Sequence, residues 1–157
     1  MKKREVLVLS YVITESLKLA KGAKFCYALM KNENILKPEI ECLKKIEDGY
    51  REGIKAFDED RNALIVKLGK PKPDGMIQVE EDDMAKFKKE VEKLEKKHES
   101  SLEAFNTSMT EYQKTILDEE MESLNIYGVS VSNIPDSFQE TRSDLFQALV
   151  KYNVITD

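Results

Sequence analysis

Two long segments of the chain carry apolar residues spaced as on one face of an α-helix. The first set is Ile40, Leu43, Ile46, Tyr50, Ile54, Phe57, Leu64 and Leu68. The second set is Phe87, Val91, Leu94, Leu102, Phe105, Met109, Tyr112 and Ile116. Steps of three and four residues bring the members of each set onto one helix face. Because one turn-rich stretch separates the two sets, the pattern predicts a long antiparallel helical hairpin over residues 36–120, with its tip at 69–81.

The turn also sets an expected register between the two arms of the hairpin. Counting back from it pairs Tyr50 with Phe105 and Phe57 with His98. Apolar positions then meet along the seam, so both phenylalanine rings are expected to be buried there. Truncation of either ring to alanine would in that case cost about 3–5 kcal/mol.

The segments that precede the hairpin predict a strand or helices. Residues 6–9 form an apolar run that fits either a strand or the first turn of a helix. A second segment, residues 23–31, has helical spacing that places Phe25, Ala28 and Leu29 on one side. We expect that side to face the core.

Two features bear on where these helices end. The polar residues at 32–34 weaken the helix that precedes them. Pro38 fits either the first turn of a new helix or a kink in a continuous one.

The segment after the hairpin predicts a strand followed by a helix. Residues 124–131 alternate and contain valines, which favours a strand, and its expected mate is the run at 6–9. Ser137 and Glu140 have the spacing of a capping box, which would open the final helix. The side chains of that helix expected to pack inward are Phe138, Leu145, Leu149 and Tyr152.

These elements together predict a mainly α fold in a single domain over residues 1–157. N-terminal elements would occupy 1–35, the long antiparallel helical hairpin 36–120, and a strand with a C-terminal helix 121–157. A small two-stranded sheet near the termini would join the first and last parts.

Composition favours the same helix-rich class. Of the 157 residues 35% are charged, with six glycines and four prolines, a mix typical of helical proteins. Mean hydropathy is −0.51, and no apolar run is long enough to span a membrane. We therefore expect a cytoplasmic protein with no membrane partner. Cys26 and Cys42 lack the spacing of a redox or metal motif and are expected to be buried as small apolar groups.

Charge is spread unevenly along the chain. The formal net charge is −5, yet residues 1–32 carry seven basic and two acidic side chains. Two interpretations are open. The charges form a polarised surface that attracts a partner of opposite sign, or they solvate the faces of separate helices.

No combination of side chains predicts catalysis or metal binding. His98 is the only histidine. It lies on the apolar stripe without a recognisable nucleophile or orienting group, which favours a structural role. The acidic runs at 58–60, 80–83 and 118–120 lack the glycine and distal glutamate of a calcium loop, and no phosphate-binding glycine motif occurs. The sequence thus predicts no catalytic residue, no cofactor and no metal.

The residues expected to contact a partner are charged or aromatic, in the basic N-terminal third or at the hairpin tip. They are Lys18, Lys21, Lys24, Tyr27, Lys70, Lys72 and Asp74. The first three lysines are expected to share a helix face. A protein is the expected partner, because an acidic chain without tryptophan or a helix-turn-helix pattern disfavours nucleic acid.

The order of these segments resembles that of a loose group of small proteins from tailed bacteriophages and prophages. The stretches that carry the resemblance are residues 24–32, 36–43, 69–71, 87–94 and 134–136. The resemblance implies a viral origin and the cytoplasm of a host cell. It implies no activity and transfers no functional residue.

These observations predict a phage-encoded, non-enzymatic protein–protein interaction module, for which inhibition of a host defence protein is one role. One alternative is a scaffold or assembly factor that self-associates around Gly49 and Gly53, which lie four residues apart on one helix face. Another is a binder of a small ligand or nucleic acid that uses the basic N-terminal third.

Overall fold

The computed structural model describes residues 1–73, 75–121 and 124–157, and the fold is mainly α. The helices in these residues are α1 (Lys3–Leu17), α2 (Ala23–Glu52), α3 (Lys55–Leu68), α4 (Glu81–Lys97), α5 (Glu99–Glu111), α6 (Asp136–Thr141) and α7 (Ser143–Lys151). The short strands are β1 (Gly69–Pro71), β2 (Ile77–Val79), β3 (Val129–Ser130) and β4 (Ile155–Thr156). A π-helical turn spans Tyr112–Ile116, and a 3-10 turn spans Val131–Asn133.

The described residues form two compact units, residues 1–45 with 113–157 and residues 46–112. The large apolar core belongs to the first unit. It is built from side chains of α1, the N-terminal half of α2, α6, α7 and the C-terminal strand. The predicted inward faces are confirmed, because the core includes Phe25, Ala28, Leu29, Phe138, Leu145, Leu149 and Tyr152.

The N-terminal run at 6–9 lies in helix α1 rather than in a strand. Val6, Leu9 and Ile13 are fully buried, and this spacing of three and four continues beyond the run, as a helix requires. The expected pairing of residues 6–9 with a C-terminal strand is therefore wrong. β3 instead pairs in parallel with β4, through Val129 opposite Ile155, because both of these side chains enter the core.

Helix α2 is continuous through Pro38. A proline removes the hydrogen bond to the carbonyl four residues earlier, here that of Asn34. Both residues are exposed, so water can solvate the freed carbonyl. The predicted weakening at 32–34 is wrong for a different reason, since Asn32 is fully buried and its side chain is hydrogen-bonded to another segment.

The C-terminal helical region consists of two helices. α6 begins at Asp136, directly after Pro135, and Ser137 lies inside it, so the predicted capping box is wrong. The chain leaves helical geometry at Arg142, and α7 follows. The guanidinium of Arg142 donates two hydrogen bonds to the Asp144 carboxylate, at 3.0 and 2.9 Å.

The second unit contains the hairpin, but each of its arms is interrupted. The first arm breaks at Gly53 and Ile54, where α3 follows α2, and the second breaks at His98. β1 and β2 pair antiparallel and form the tip between α3 and α4. Close approach of these strands requires Gly69, because a methyl group there would lie 2.4 Å from Cγ2 of Ile77.

The expected register holds near these breaks and fails further from the tip. The Phe57 ring packs edge-on against His98, with centroids 5.9 Å apart, as predicted. Tyr50 packs against Tyr112 at 6.2 Å rather than against Phe105. The two breaks change the phase of the helices, so a register counted on continuous arms is lost beyond them.

Burial along the hairpin is shallower than expected. No described side chain of α3, α4 or α5 is buried, and Phe57 and Phe105 are half-buried. Two helices packed side by side cover one stripe of each other and leave the edges of that stripe open to water. The expectation that both rings are buried is therefore wrong.

Truncation of a phenylalanine to alanine should cost more in the core of the first unit than along the hairpin. We expect Phe25→Ala to lower the free energy of unfolding of the first unit by about 3–5 kcal/mol. Its side chain is fully buried and contacts Phe138 edge-on at 5.0 Å. Phe105→Ala should destabilise the hairpin by well under half as much. Hydrogen exchange of amides in each unit measures both, and equal losses would contradict this assignment of the core.

Acid should weaken the junction between α6 and α7. The hydrogen bonds from Arg142 lower the pKa of Asp144 from 3.8 to about 2. The folded-state value is the lower one, so this stabilisation is present above pH 3.8 and is lost as pH falls toward 2. Asp144→Asn should therefore destabilise α7 at pH 6 and should do so by only a small fraction of that amount at pH 2, where about half of the carboxyl groups are protonated. Asp48→Asn, at an exposed site on α2, is the control. Urea titrations at both pH values test this, and a difference that is undiminished at pH 2 would refute it.

Candidate functional site

The outward face near the start of α2 carries a lysine, a tyrosine and a second lysine. Lys24, Tyr27 and Lys31 follow one another at steps of three and four and so share one side of the helix. The opposite side holds Phe25 and Leu29, which are fully buried. Burial of that side fixes the rotation of α2 and holds the other three residues toward solvent.

A second tyrosine reaches this face from the segment before β3. The side chain of Asn32 is fully buried and pairs with the backbone of Tyr127 in both directions. Nδ2 of Asn32 donates to the Tyr127 carbonyl at 2.9 Å, and the Tyr127 N–H donates to Oδ1 at 2.7 Å. One amide side chain thus satisfies both backbone groups of a residue that lies outside the described strands.

The two tyrosine rings and one lysine contact one another. The rings of Tyr27 and Tyr127 meet edge to face, with centroids 5.6 Å apart at 84°. Nζ of Lys31 lies 4.3 Å from the Tyr127 centroid and 5.8 Å from that of Tyr27, which is cation–π geometry. Together with Met30, which is 55% exposed, these residues form what we call the tyrosine surface.

The structure sorts the seven basic residues of the N-terminal third into two groups. Four are paired with carboxylates: Lys2 and Arg4 with Asp118, Lys3 with Glu119, and Lys18 with Glu15. The hydrogen bond from Lys3 to Glu119 raises the pKa of this lysine. Asp118 and Glu119 therefore neutralise three of the N-terminal cations, and Glu15 neutralises Lys18.

The remaining three basic residues are Lys21, Lys24 and Lys31. Within residues 1–73, 75–121 and 124–157, none of them has a carboxylate within ion-pair distance. All three are exposed. Of these three, Lys31 contacts both rings of the tyrosine surface, and Lys24 lies one turn before Tyr27 on the same helix face.

Three lysines expected to share a helix face do not share one. Lys18 ends α1, Lys21 lies between helices, and Lys24 is in the first turn of α2. Gly22, with φ of +90°, turns the chain between them, a conformation that favours glycine. Of the predicted contact residues, the structure brings Lys24 and Tyr27 onto one face.

The residues predicted at the hairpin tip have different roles. Lys70, in β1, donates to Glu80 at 2.6 Å. This hydrogen bond raises the pKa of Lys70 and lowers that of Glu80, so Lys70 serves the tip itself. Lys72 is exposed, and Asp74 lies outside the described residues.

The single histidine supports the hairpin. Oδ2 of Asp60 lies 2.8 Å from Nε2 of His98 and accepts a hydrogen bond from Lys97 at 2.7 Å. These two hydrogen bonds, Lys97 first, lower the pKa of Asp60. Together with the contact to Phe57, they account for His98 as a structural residue at the break between α4 and α5.

The remaining sequence-based candidates are single side chains. Cys26 is half-buried and Cys42 is exposed, so the expectation that both are buried is wrong for Cys42, which lies on the solvent side of α2. Gly49 has open space around it, and Gly53 lies in the break after α2.

In the part of the chain that the structure describes, no three His, Cys, Asp or Glu side chains converge as metal ligands. No helix there combines the length and the apolar character needed to cross a membrane.

The comparisons with known proteins add no relative. No protein-family model, curated protein or solved structure matches this chain.

Sequence reasoning missed Asn32, Lys31 and Tyr127. One signal was available for Asn32, since it lies three and four residues after Leu29 and Ala28 on the core side of an amphipathic helix. A polar residue at such a position needs a buried hydrogen-bond partner. The identity of that partner, 95 residues away in the sequence, has no signature in the local pattern.

Removal of the Asn32 amide should release Tyr127. We expect Asn32→Ala to destabilise the first unit by about 1–3 kcal/mol, because two partly buried backbone groups lose their partner. The ring of Tyr127 should at the same time lose its fixed contact with Tyr27, seen as lost cross-peaks between the rings in NMR spectra. Asn34→Ala, at an exposed site on the same helix, is the matched control. Equal behaviour of the two variants would contradict the proposed role of Asn32.

Proposed function

We propose that this protein is a non-enzymatic protein-binding module and that the tyrosine surface contacts its partner. The observation that carries the proposal is a pair of exposed tyrosines held in mutual contact by a buried amide. Tyrosine and methionine are enriched where proteins bind one another. Rings that are already ordered lose little conformational freedom on binding.

Two other groups of exposed apolar side chains exist on the described residues. One is the outer face of α1, with Leu7, Val8 and Tyr11, and the other is near the hairpin tip, with Met76 and Ile77. The tyrosine surface is favoured over both because it combines two tyrosines and a methionine with cationic groups beside them. Aromatic and apolar side chains are typical of the centre of an interface, and charged groups are typical of its rim.

The partner class follows from the resemblance to phage proteins. If the chain is phage-encoded, its partner is a host or viral protein, and binding to a host defence protein would inhibit it by occupying a functional surface. This part of the proposal is supported by the resemblance alone, whereas the location of the contact is supported by the geometry of the tyrosine surface.

Site-specific photocross-linking tests the proposal. A benzophenone amino acid replaces Tyr27 in one variant and Tyr11 in the matched control, where the side chain is 65% exposed. In lysate of cells that naturally hold the gene, we expect the first variant to give a discrete adduct that the second lacks. The protein identified in the adduct, once purified, should bind Tyr127→Ala at least tenfold more weakly than the parent chain.

Three outcomes would overturn the proposal. They are equal adducts at both positions, unchanged affinity of the Tyr127→Ala variant, or an adduct that consists of a second copy of this chain. The last of these would favour the self-associating scaffold instead.

A further inference from the structure

We infer that the partner segment bound by the tyrosine surface is an acidic stretch of protein chain in extended conformation, an inference that rests on the proposed function. The juxtaposition that points to it is that of two exposed tyrosine rings with Lys24 and Lys31, neither of which has a carboxylate partner among the described residues. Each further step rests on how these charges are arranged.

The chain contains no acidic residue between Glu15 and Glu33. Some lysines elsewhere in the protein pair with a carboxylate three residues away, as Lys55 does with Glu52 and Lys93 with Glu90. Lys24 and Lys31 have no such neighbour in the sequence and no ion pair among the described residues. Carboxylates supplied by a partner would neutralise this charge, and complementary charge of this kind steers association and sets specificity.

The position of Lys24 strengthens the argument from charge. It lies in the first turn of α2, which contains no acidic residue, whereas the first turn of α4 contains Glu81, Asp82 and Asp83. The backbone of a helix start is partly positive and favours acidic side chains. A lysine there adds to the positive potential, which is unfavourable within the free chain and favourable toward an anionic partner.

The spacing of the cations fits an extended peptide. Lys24 and Lys31 are two helical turns apart, about 10 Å along the axis. Residues i and i+4 of an extended chain lie on one face about 13 Å apart, a span that flexible lysine side chains can match, so a segment with acidic residues at these positions can reach both lysines. An apolar side chain between them would lie against Tyr27 and Met30.

A protein segment fits this surface better than single-stranded nucleic acid. Nucleic acid bases bind by stacking on the faces of aromatic rings. Here the ammonium group of Lys31 already lies over the Tyr127 ring, and the two rings meet edge to face at 84° rather than as parallel platforms. The ammonium group remains available to a carboxylate from the solvent side.

Peptide titration tests the inference. The probes are a capped hexapeptide with four glutamates and two central leucines, its counterpart with four glutamines, and a ten-nucleotide oligothymidine. Binding is followed by the NMR signals of Tyr27 and Tyr127 in the full chain. We expect the acidic peptide to bind at least tenfold more tightly than the neutral one, with an affinity that falls as sodium chloride is raised from about 50 to 300 mM, as expected for screened charges.

Charge-reversal variants locate the binding. Lys24→Glu and Lys31→Glu should each weaken binding of the acidic peptide at least fivefold. Lys37→Glu, an exposed site on another face of the same helix, should leave it unchanged, and circular dichroism checks that each variant stays folded. Equal affinity for the acidic and neutral peptides, or equal effects of all three variants, would overturn the inference. Tighter binding of the oligonucleotide would overturn it in favour of nucleic acid.

The outcomes separate this inference from the proposed function. If cross-linking identifies a partner but the acidic peptide has no advantage, the protein-binding function stands and the acidic segment does not. If the acidic peptide binds but position 27 gives no discrete adduct, the proposed function falls while the anionic preference of the surface stands.

Discussion

The buried amide of Asn32 is the interaction on which the tyrosine surface depends. Tyr127 lies outside the described strands, so its backbone N–H and carbonyl need another partner, and burial of these groups without one would be costly. Asn32 supplies both a donor and an acceptor to the backbone of Tyr127. Asn32 thereby holds Tyr127 against the ring of Tyr27. The hydrogen bonds that stabilise the fold also keep the two rings of the tyrosine surface in contact.

The two units differ in how they are stabilised. The first unit has a core of fully buried side chains, among them Phe25, Leu36 and Leu149. Among the described residues of the hairpin unit, only Ile54 and Tyr112 are buried. The unit otherwise relies on half-buried rings, on the contacts of Asp60 with Lys97 and His98, and on a two-stranded tip. Segments with little buried apolar surface open at lower free energy than cores. A contact surface that needs a fixed geometry is therefore better supported on the first unit, where α2 is anchored by its buried side.

The distribution of ion pairs, rather than the net charge, distinguishes the lysines near the two tyrosines from the other cations of the N-terminal third. The chain as a whole is acidic, and its most basic end is largely neutralised by the run at 118–120. What remains is a local excess of positive charge around two tyrosines. Because screening limits interactions in salt to about 10 Å, a partner at this surface responds to these nearby lysines rather than to the overall charge of −5.

Local periodicity and turn residues in the sequence predict several features of the structure. These include the mainly α class, the inward faces holding Phe25 and Leu149, the start of a helix at residue 23, and the contact of Phe57 with His98. Only the folded chain shows the partner of β3, the breaks in the hairpin arms, and the contact between the rings of Tyr27 and Tyr127. The reason is that helical spacing indicates which side of a segment is apolar, but it does not indicate which distant segment packs against that side. The polar residue Asn32 on an apolar helix face indicates a buried hydrogen bond, but only the folded chain identifies its partner, the backbone of Tyr127.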